Sequence, residues 1–211
     1  MTKIYLVRHG ETAWNREKVF RGRIDLELSE RGKEEAKALA EELKKEPIKF
    51  IYSSPLKRAL QTAQPLAEAL GLEVKKEPGL IDLDFGSWQG KSLKEVKESD
   101  PENYRLWENS PEKLKFPQGE SLAEARLRAM QALERIAQAH SDQCGVVVSH
   151  RVICKLILLS ALGSSEAHFW KIQQDLACYN ILERNEKGWV VRLVNHTCHL
   201  KNISGHLQID F

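Results

Sequence analysis

The segment Ile4-Tyr5-Leu6-Val7-Arg8-His9-Gly10-Glu11-Thr12 decides the fold class and places a site within it. Its first four residues form a continuous apolar run rich in β-formers, which predicts a buried strand. Arg8, His9 and Gly10 follow where that strand ends, and open α/β sheets bind ligands outside the carboxyl ends of their strands. His9 offers a nitrogen nucleophile, Arg8 a planar guanidinium for an anion, and Gly10 a backbone that a ligand can approach closely. The segment therefore predicts a functional site.

Two further apolar segments also end in polar residues that suit an anion. Residues 48–52 predict a second buried strand, followed by Ser53, Ser54 and, one turn into the next helix, Arg58. Residues 145–149 predict a third strand, and His150 follows it. If these strands are parallel, their ends lie along one edge of the sheet. Two imidazoles and two guanidiniums then converge, and so much positive charge predicts a bound anion, with phosphate the first choice.

Helical patterns alternate with the strands. Ser29 is placed to cap a helix from residue 30 to about 45, and Ser121 with Glu124 forms a capping box for a helix to about residue 139. Ser54 as N-cap and Pro55 in the first turn predict a helix that Gly71 ends. The remaining predicted elements are a helix over 152–162 and a hairpin of strands over 178–184 and 189–194. This alternation predicts a doubly wound, mainly parallel α/β sheet flanked by helices on both faces.

The character of the chain changes between residues 84 and 120. Glycines and prolines interrupt the segment, and five aromatic residues give it apolar mass: Phe85, Trp88, Tyr104, Trp107 and Phe116. We expect an insertion of short helices that covers the active-site cleft, within a single domain spanning residues 1–211.

Composition disfavours nucleic-acid and membrane partners. The chain has 211 residues, of which 42% are hydrophobic and 29% charged. Its formal net charge of +2 is too small to indicate a surface that binds nucleic acid or a membrane. No apolar stretch is long enough to span a bilayer, and the N-terminus lacks the pattern of a cleaved signal. The 4 cysteines are widely spaced without a C-x-x-C pair, which favours free thiols over disulfides or zinc sites. We therefore expect a cytoplasmic location.

The ordered motifs resemble the histidine phosphatase family, the group that contains cofactor-dependent phosphoglycerate mutase. The motifs are Leu6 to Thr12 with Trp14-Asn15, then Ser53-Ser54-Pro55-Leu56 with Arg58-Ala59 and Thr62-Ala63, then Gly119-Glu120-Ser121, then Val148-Ser149-His150. The resemblance implies that His9 is the nucleophile and becomes phosphohistidine. It implies that Arg8, Arg58 and His150 hold the phosphoryl oxygens, and that Asn15 and the Gly10 backbone assist, without metal or cofactor. In-line attack needs an unprotonated nitrogen on His9, so we expect its other nitrogen to donate to a backbone carbonyl.

The proton donor is the main departure from the family pattern. The family usually has a glutamate in a Glu-x-x-x-Gly context ahead of the insertion, and here Asp82 occupies that place with a side chain one methylene shorter. Asp84 shares a face with Asp82 if the segment is extended, and the position in the motif favours Asp82. Arg151 stands where the family often has glycine after Ser-His. It either adds a cation at the pocket rim or points to solvent.

The loop Arg21-Gly22-Arg23 is the candidate for substrate recognition, with Arg21 and Gly22 as its binding residues. Arg21 and Arg23 either contact a carboxylated substrate or lie in a solvated loop. Asn15 either serves the site or caps a loop. The histidines without metal-ligand spacing receive no role: His140, His168, His196, His199 and His206.

The favoured function is metal-independent hydrolysis of a small phosphate monoester, such as phosphoserine, α-ribazole phosphate, a phosphoglycerate or a sugar phosphate. In its compact length and in the run from Gly22 to Asp25, the chain resembles the phosphatases of the family more than the mutases. Three alternatives stay open. The first is a cofactor-dependent phosphoglycerate mutase, and the second is a phosphate-binding regulatory protein with little turnover, which Asp82 in place of glutamate favours. The third is a metallohydrolase. The resemblance also allows a homodimer.

Overall fold

A six-stranded sheet forms the centre of the computed structural model, which describes residues 1–203 apart from the side chain of Arg16. Its strands are β1 (Thr2–Arg8), β2 (Ile48–Ser53), β3 (Val74–Lys76), β4 (Cys144–Ser149), β5 (Tyr179–Asn185) and β6 (Gly188–His196). Their order is β3-β2-β4-β1-β5-β6. The first four strands pair in parallel, while β5 and β6 add antiparallel partners beyond β1. The predicted mainly parallel sheet and the hairpin of its last two strands are confirmed. His206 lies outside the described residues.

Seven α-helices connect and cover the strands within residues 1–203. They are α1 (Trp14–Glu17), α2 (Glu30–Leu43), α3 (Lys57–Leu70), α4 (Leu93–Ser99), α5 (Pro101–Asn109), α6 (Leu122–Ala139) and α7 (Arg151–Ala161). The predicted caps are present: Ser29 accepts the Gly32 N–H at the start of α2, and Ser121 with Glu124 forms the capping box of α6. Gly71 ends α3 in the left-handed conformation, as predicted. No described helix is long and apolar enough to cross a membrane.

The start of α3 differs from the prediction. The helix begins at Lys57, and Leu56 is its N-cap without a side-chain cap. Ser54 is therefore not the cap, because its hydroxyl bonds to His150 instead. Its Oγ lies 2.7 Å from His150 Nε2, whereas its distance to the Leu56 nitrogen is long, at 3.4 Å. Strand β3 was not predicted, since it has three residues and little apolar character.

The helices cover both faces of the sheet, because neighbouring strand residues point to opposite sides. On β1, Leu6 belongs to the apolar cluster that includes side chains of α6 and α7, while Val7 packs with side chains of α2 and α3. Both clusters are buried cores, so the sheet is enclosed between two helical layers. The doubly wound architecture is confirmed, and it leaves the carboxyl ends of β1, β2 and β4 side by side.

The segment from residue 84 to 120 contains α4, α5 and two 3₁₀ turns, as its composition predicts. Its aromatic rings pack edge to face, with Phe85 and Trp88 each about perpendicular to Phe116. These rings belong to the same apolar cluster as Leu6, so the segment shares the core of the sheet. Phe85 also reaches the pocket beside His9. That the segment covers the cleft of a single domain stays a prediction.

Candidate active site

Three parallel strand ends bring the predicted cationic and imidazole side chains together. Arg8 pairs with Ser149 across β1 and β4, and the His9 N–H donates to the Ser149 carbonyl at 3.0 Å. The rings of His9 and His150 then lie 5.2 Å apart, centroid to centroid. Arg8, His9, Arg58 and His150 each expose 1% or less of their surface. The site is therefore a buried, positively charged group at one edge of the sheet.

The hydrogen bonding of His9 determines which of its nitrogens is free to react. His9 Nδ1 lies 2.7 Å from the Gly10 carbonyl oxygen. A carbonyl only accepts, so Nδ1 carries the proton and Nε2 keeps its lone pair. Burial, reinforced by the guanidiniums of Arg58 and Arg8, holds the pKa of His9 well below its ordinary value. His9 is therefore neutral near pH 7, with the backbone bond expected from the sequence.

Arg58 holds the floor of the site through both terminal nitrogens. Nη1 donates to the Ile24 carbonyl at 2.8 Å, while Nη2 donates to the Gly22 carbonyl at 2.7 Å and to Asp82 Oδ2 at 3.1 Å. Within residues 1–203, its Nε has no hydrogen-bond partner. Burial lowers the pKa of Arg58 to about 10, so the guanidinium stays charged at neutral pH. Arg8 is anchored from the other side, where Nη1 donates to the Gln174 carbonyl at 2.6 Å.

His150 faces the site with Nδ1. Its Nε2 is held by Ser54 Oγ at 2.7 Å, and Nδ1 lies 3.7 Å from Asp82 Oδ2, beyond hydrogen-bonding distance. Among the described atoms Nδ1 has no hydrogen-bond partner. Burial lowers the pKa of His150 well below its ordinary value, and the charge of Arg58 lowers it further. Sequence reasoning placed Ser54 at a helix end and missed its contact with this imidazole.

The structure separates the two candidate carboxylates. Asp82 lies beside Arg58 and His150 with a side chain that is 10% exposed, and its Oδ1 accepts the Leu83 N–H at 2.9 Å. Asp84 turns outward, where Oδ2 accepts from Arg23 Nη1 at 3.2 Å. The pocket that contains His9 is lined by Asp82 and not by Asp84. Geometry therefore brings Asp82 to the site, in agreement with its position in the motif.

Gly10 bonds to two neighbours in the protein through its backbone. Its N–H donates to Thr62 Oγ1 at 3.0 Å, and its carbonyl accepts from His9, so both backbone groups are used inside the protein. A side chain at Gly10 would lie 2.8 Å from the Gly32 carbonyl oxygen. The close neighbour that requires glycine is thus the start of α2. That the Gly10 backbone assists the phosphoryl oxygens stays a prediction.

Asn15 closes the loop that follows β1. Its Oδ1 accepts from the backbone N–H and from the hydroxyl of Thr12, both at 2.8 Å. This local pattern matches the loop-capping alternative of the sequence analysis. Direct service to a ligand stays a prediction for Asn15.

A small pocket opens above His9. Its lining residues are His9, Val19, Phe20, Arg21, Gly22, Asp82, Phe85, Arg151 and Val152. Gly22 adopts a φ of +50°, which turns its carbonyl toward Arg58, and Arg21 stands in the wall. Arg151 lies at the same pocket with its guanidinium 5.9 Å from the centroid of the Trp170 ring. Arg23 instead turns away to Glu120 and Asp84.

Of the remaining histidines, His140, His196 and His199 take up packing positions. His140 stacks on Phe50 with ring centroids 3.9 Å apart, and His199 Nε2 donates to the Ala177 carbonyl at 3.1 Å. Over residues 1–203, no group of three or more His, Cys, Asp or Glu side chains is arranged to hold a metal ion. The reactive groups of the site are the nitrogens of its arginines and histidines and the carboxylate of Asp82.

Comparison with known proteins agrees with this geometry. The model of the histidine phosphatase superfamily (branch 1) matches residues 4–197. The chain belongs to this superfamily. It is 44% identical over 200 residues to phosphoserine phosphatase 1 of Hydrogenobacter thermophilus, covering 95% of both chains. It is 37% identical over 215 residues to a metal-independent phosphoserine phosphatase of Arabidopsis thaliana, covering 100% of this chain and 88% of that one.

Among solved structures, a phosphoserine phosphatase mutant of Entamoeba histolytica in complex with phosphoserine has a TM-score of 0.86 at 30% identity, covering 95% of this chain and 100% of that one. The chain is accordingly a phosphatase of the histidine type.

Proposed function

We propose that this histidine phosphatase hydrolyses small phosphate monoesters without a metal ion, through a phosphohistidine at His9 Nε2, with phosphoserine as its substrate. One observation carries the proposal. The bond from His9 Nδ1 to the Gly10 carbonyl leaves a neutral nitrogen nucleophile inside a pocket of cations. A phosphate dianion suits that environment, because guanidiniums bind its oxygens through charge-assisted hydrogen bonds.

In the first step His9 attacks the phosphorus atom. The Nε2–P bond forms, the ester P–O bond breaks, and the leaving oxygen takes a proton from the Asp82 carboxylic acid. The Nε of Arg58 and the Nδ1 of His150, which have no hydrogen-bond partner within residues 1–203, are donors for the phosphoryl oxygens, together with Arg8. Donors of this kind contribute about 3 kcal/mol each to lowering the barrier.

In the second step water releases the phosphate. The water oxygen attacks phosphorus, the N–P bond breaks, and its electron pair returns to His9 Nε2. Asp82, now a carboxylate, takes the proton from the water. Inorganic phosphate leaves, and the site regains the protonation that it had at the start.

Phosphoserine as substrate is supported by the similarity to phosphoserine phosphatases and by the residues that line the pocket. Arg21 and Arg151 both line the pocket above His9, where they offer positive charge to a carboxylate on the leaving group. A phosphate monoester with a carboxylate on its leaving group therefore suits these two arginines better than a phosphate ester of an uncharged sugar does.

A panel of esters tests the proposal. Phosphoserine, 3-phosphoglycerate, α-ribazole phosphate, a sugar phosphate and p-nitrophenyl phosphate are compared by kcat/KM in the presence of a chelator. We expect full activity and the highest kcat/KM for phosphoserine. His9→Ala should abolish turnover and the phosphoenzyme trapped by rapid quench, whereas the control His168→Ala, at an exposed position, should change neither.

Three outcomes contradict the proposal. Interconversion of 2- and 3-phosphoglycerate, stimulated by 2,3-bisphosphoglycerate and faster than phosphate release, would identify a mutase. Phosphate binding without turnover at any pH from acidic to neutral would identify a binding protein. Loss of activity in chelator would identify a metallohydrolase.

We also infer a cytoplasmic location, with a small phosphate ester as the partner and neither nucleic acid nor membrane. The support is that all four cysteines are free thiols, three of them buried, which suits a reducing compartment. Cell fractionation tests the location, and recovery in an oxidising compartment would contradict it. Sedimentation of the purified chain tests the homodimer that the family resemblance allows.

A further inference from the structure

One arginine of α6 holds the backbone that leads to Asp82. Arg128 Nη1 donates to the carbonyls of Gly79 and Ile81, at 2.9 and 2.7 Å, and its Nη2 donates to the carbonyl of Asp82 at 2.9 Å. Three carbonyls of four consecutive residues thus converge on a single guanidinium. The same segment lies directly against α6, since a side chain at Gly79 would come within 2.7 Å of Ala132 Cβ.

Glu120 fixes the orientation of that guanidinium. Arg128 Nε donates to Glu120 Oε1 at 2.8 Å, and Arg128 Nη2 donates to Oε2 at 2.9 Å. Arg23 Nη2 also donates to Oε1 at 2.7 Å, and the Asp84 N–H donates to Oε2 at 3.1 Å. All five N–H groups of Arg128 are therefore engaged, which a lysine with three donors cannot reproduce.

The position of the Asp82 carboxyl depends on this backbone. An aspartate side chain has only two rotatable bonds, so its carboxyl follows the path of the main chain closely. Asp82 Oδ2 lies 3.1 Å from Arg58 Nη2 and 3.7 Å from His150 Nδ1. A backbone shift of 1 Å would change both distances, and misplacement on this scale costs about 10²-fold in rate.

We propose that Arg128, oriented by Glu120, is a positioning residue that sets the Asp82 carboxyl at the leaving-group oxygen. The proposal rests on the proposed function, in which Asp82 is the proton donor. It explains how an aspartate can act where the family usually has the longer glutamate. The hydrogen bonds from the guanidinium fix the main chain of residues 79–82, and so the position of the Asp82 carboxyl. It also gives Glu120 of the Gly119-Glu120-Ser121 motif a part in the reaction.

The test compares two leaving groups. Serine leaves as an alkoxide that needs a proton, whereas p-nitrophenolate leaves without one. The ratio kcat/KM is used because it reports phosphoryl transfer to His9 and not the later hydrolysis. We expect Arg128→Met to lower kcat/KM for phosphoserine by about 10²-fold and to leave p-nitrophenyl phosphate much less affected. Arg128→Lys should recover only part of the loss.

A neighbouring arginine on the same helix provides the control. Arg126 donates to Ser160 and pairs with Glu166, away from residues 79–82. Arg126→Met should leave both substrates unchanged. If Arg128→Met does not fold, Glu120→Gln provides the measurement, because it disrupts the same orientation while keeping the shape of the side chain.

Equal losses for both leaving groups, or no loss for either, would overturn the proposal. Asp82→Asn separates this failure from that of the proposed function. If Asp82→Asn shows the leaving-group dependence and folded Arg128→Met does not, only the positioning by Arg128 is wrong. If wild-type turnover or the phosphoenzyme on His9 is absent, the proposed function itself fails.

Discussion

At the residue scale, different neighbours hold the two histidines of the site in the same tautomer, with the proton on Nδ1, and each ring presents a different nitrogen to the site. His9 gives its Nδ1 proton to the Gly10 carbonyl, which leaves Nε2 free. Ser54 Oγ lies 2.7 Å from His150 Nε2, and among residues 1–203 its hydroxyl has no other acceptor. The hydroxyl therefore donates to Nε2, so the proton of His150 resides on Nδ1, the nitrogen on the side of Asp82. One ring can attack while the other donates.

Ser54→Ala should release the tautomer of His150. Without the hydroxyl, His150 Nε2 loses its donor, and both tautomers become populated. A net hydrogen bond of about 1 kcal/mol predicts a roughly fivefold loss of kcat/KM, with a change in the ¹⁵N shifts of the His150 ring. Ser53→Ala is the control, since that hydroxyl donates to the Ser54 carbonyl and not to His150. Unchanged ring shifts in Ser54→Ala would contradict the assignment.

The lowered pKa of His9 predicts the acidic side of the pH profile. Burial is the first cause, followed by the charges of Arg58, Arg8 and Arg21. A lowered pKa keeps the nucleophile neutral as the pH falls. His9 protonation should therefore not reduce kcat/KM until the pH is below 6.5, the ordinary pKa of histidine. Arg21→Met removes one cation, raises the pKa of His9 and should move the acidic limb to higher pH. Comparison with the wild type on one substrate cancels the ionisation of the ester, and an unmoved limb would speak against this electrostatic coupling.

At the element scale, α3 is tied to the loop after β1 by a single threonine. Thr62 Oγ1 accepts the Gly10 N–H at 3.0 Å and donates to the Arg58 carbonyl at 2.7 Å. Thr62→Val keeps the volume but leaves the buried Gly10 N–H without an acceptor, which costs about 1–3 kcal/mol. Urea unfolding should show that loss, and Thr62→Ser should restore most of the stability. Equal stability of the valine and serine variants would show that the bond contributes little.

The elements that the sequence predicts are those with local signals. Apolar runs predict β1, β2 and β4, and capping residues predict the start of α2 and α6 within a residue or two. Ser54 has the composition of a cap, yet its partner is an imidazole 96 residues away, so local reasoning misassigns it. Strand β3 exists because β2 offers it a parallel edge. Three residues with two lysines carry no strand signal of their own.

The same contrast holds for the site. Arg8, His9, Arg58 and His150 follow predicted strand ends, and parallel topology alone brings such positions together. Arg128 follows no strand end and belongs to no motif, and the carbonyls that it holds lie 46 to 49 residues earlier in the chain. Its place could not be predicted without the path of residues 79–82. The sequence thus predicts the reactive side chains of the site better than it predicts the residues that position them.

At the scale of the whole molecule, the buried histidines link stability to pH. Burial lowers the pKa of His9 and His150 well below the ordinary value, and that of His199 from 6.5 to about 4. In the unfolded chain each regains its ordinary pKa. As the pH falls below 6.5 the unfolded chain therefore takes up protons that the folded protein does not. The free energy of unfolding should fall with them, and it should be nearly constant just above that pH as far as these groups are concerned.

His199 permits a test of this linkage away from the reacting groups. Its Nε2 contacts the Ala177 carbonyl, and Gln can donate to the same oxygen. His199→Gln should reduce the loss of stability between pH 6.5 and 4 by about 1 to 2 kcal/mol, after allowance for its partial exposure to solvent. Urea unfolding at a series of pH values measures the difference, with His168→Gln, at an exposed position, as the control. If both variants lose stability as steeply as the wild type, the buried His199 does not contribute to the acid sensitivity of the fold.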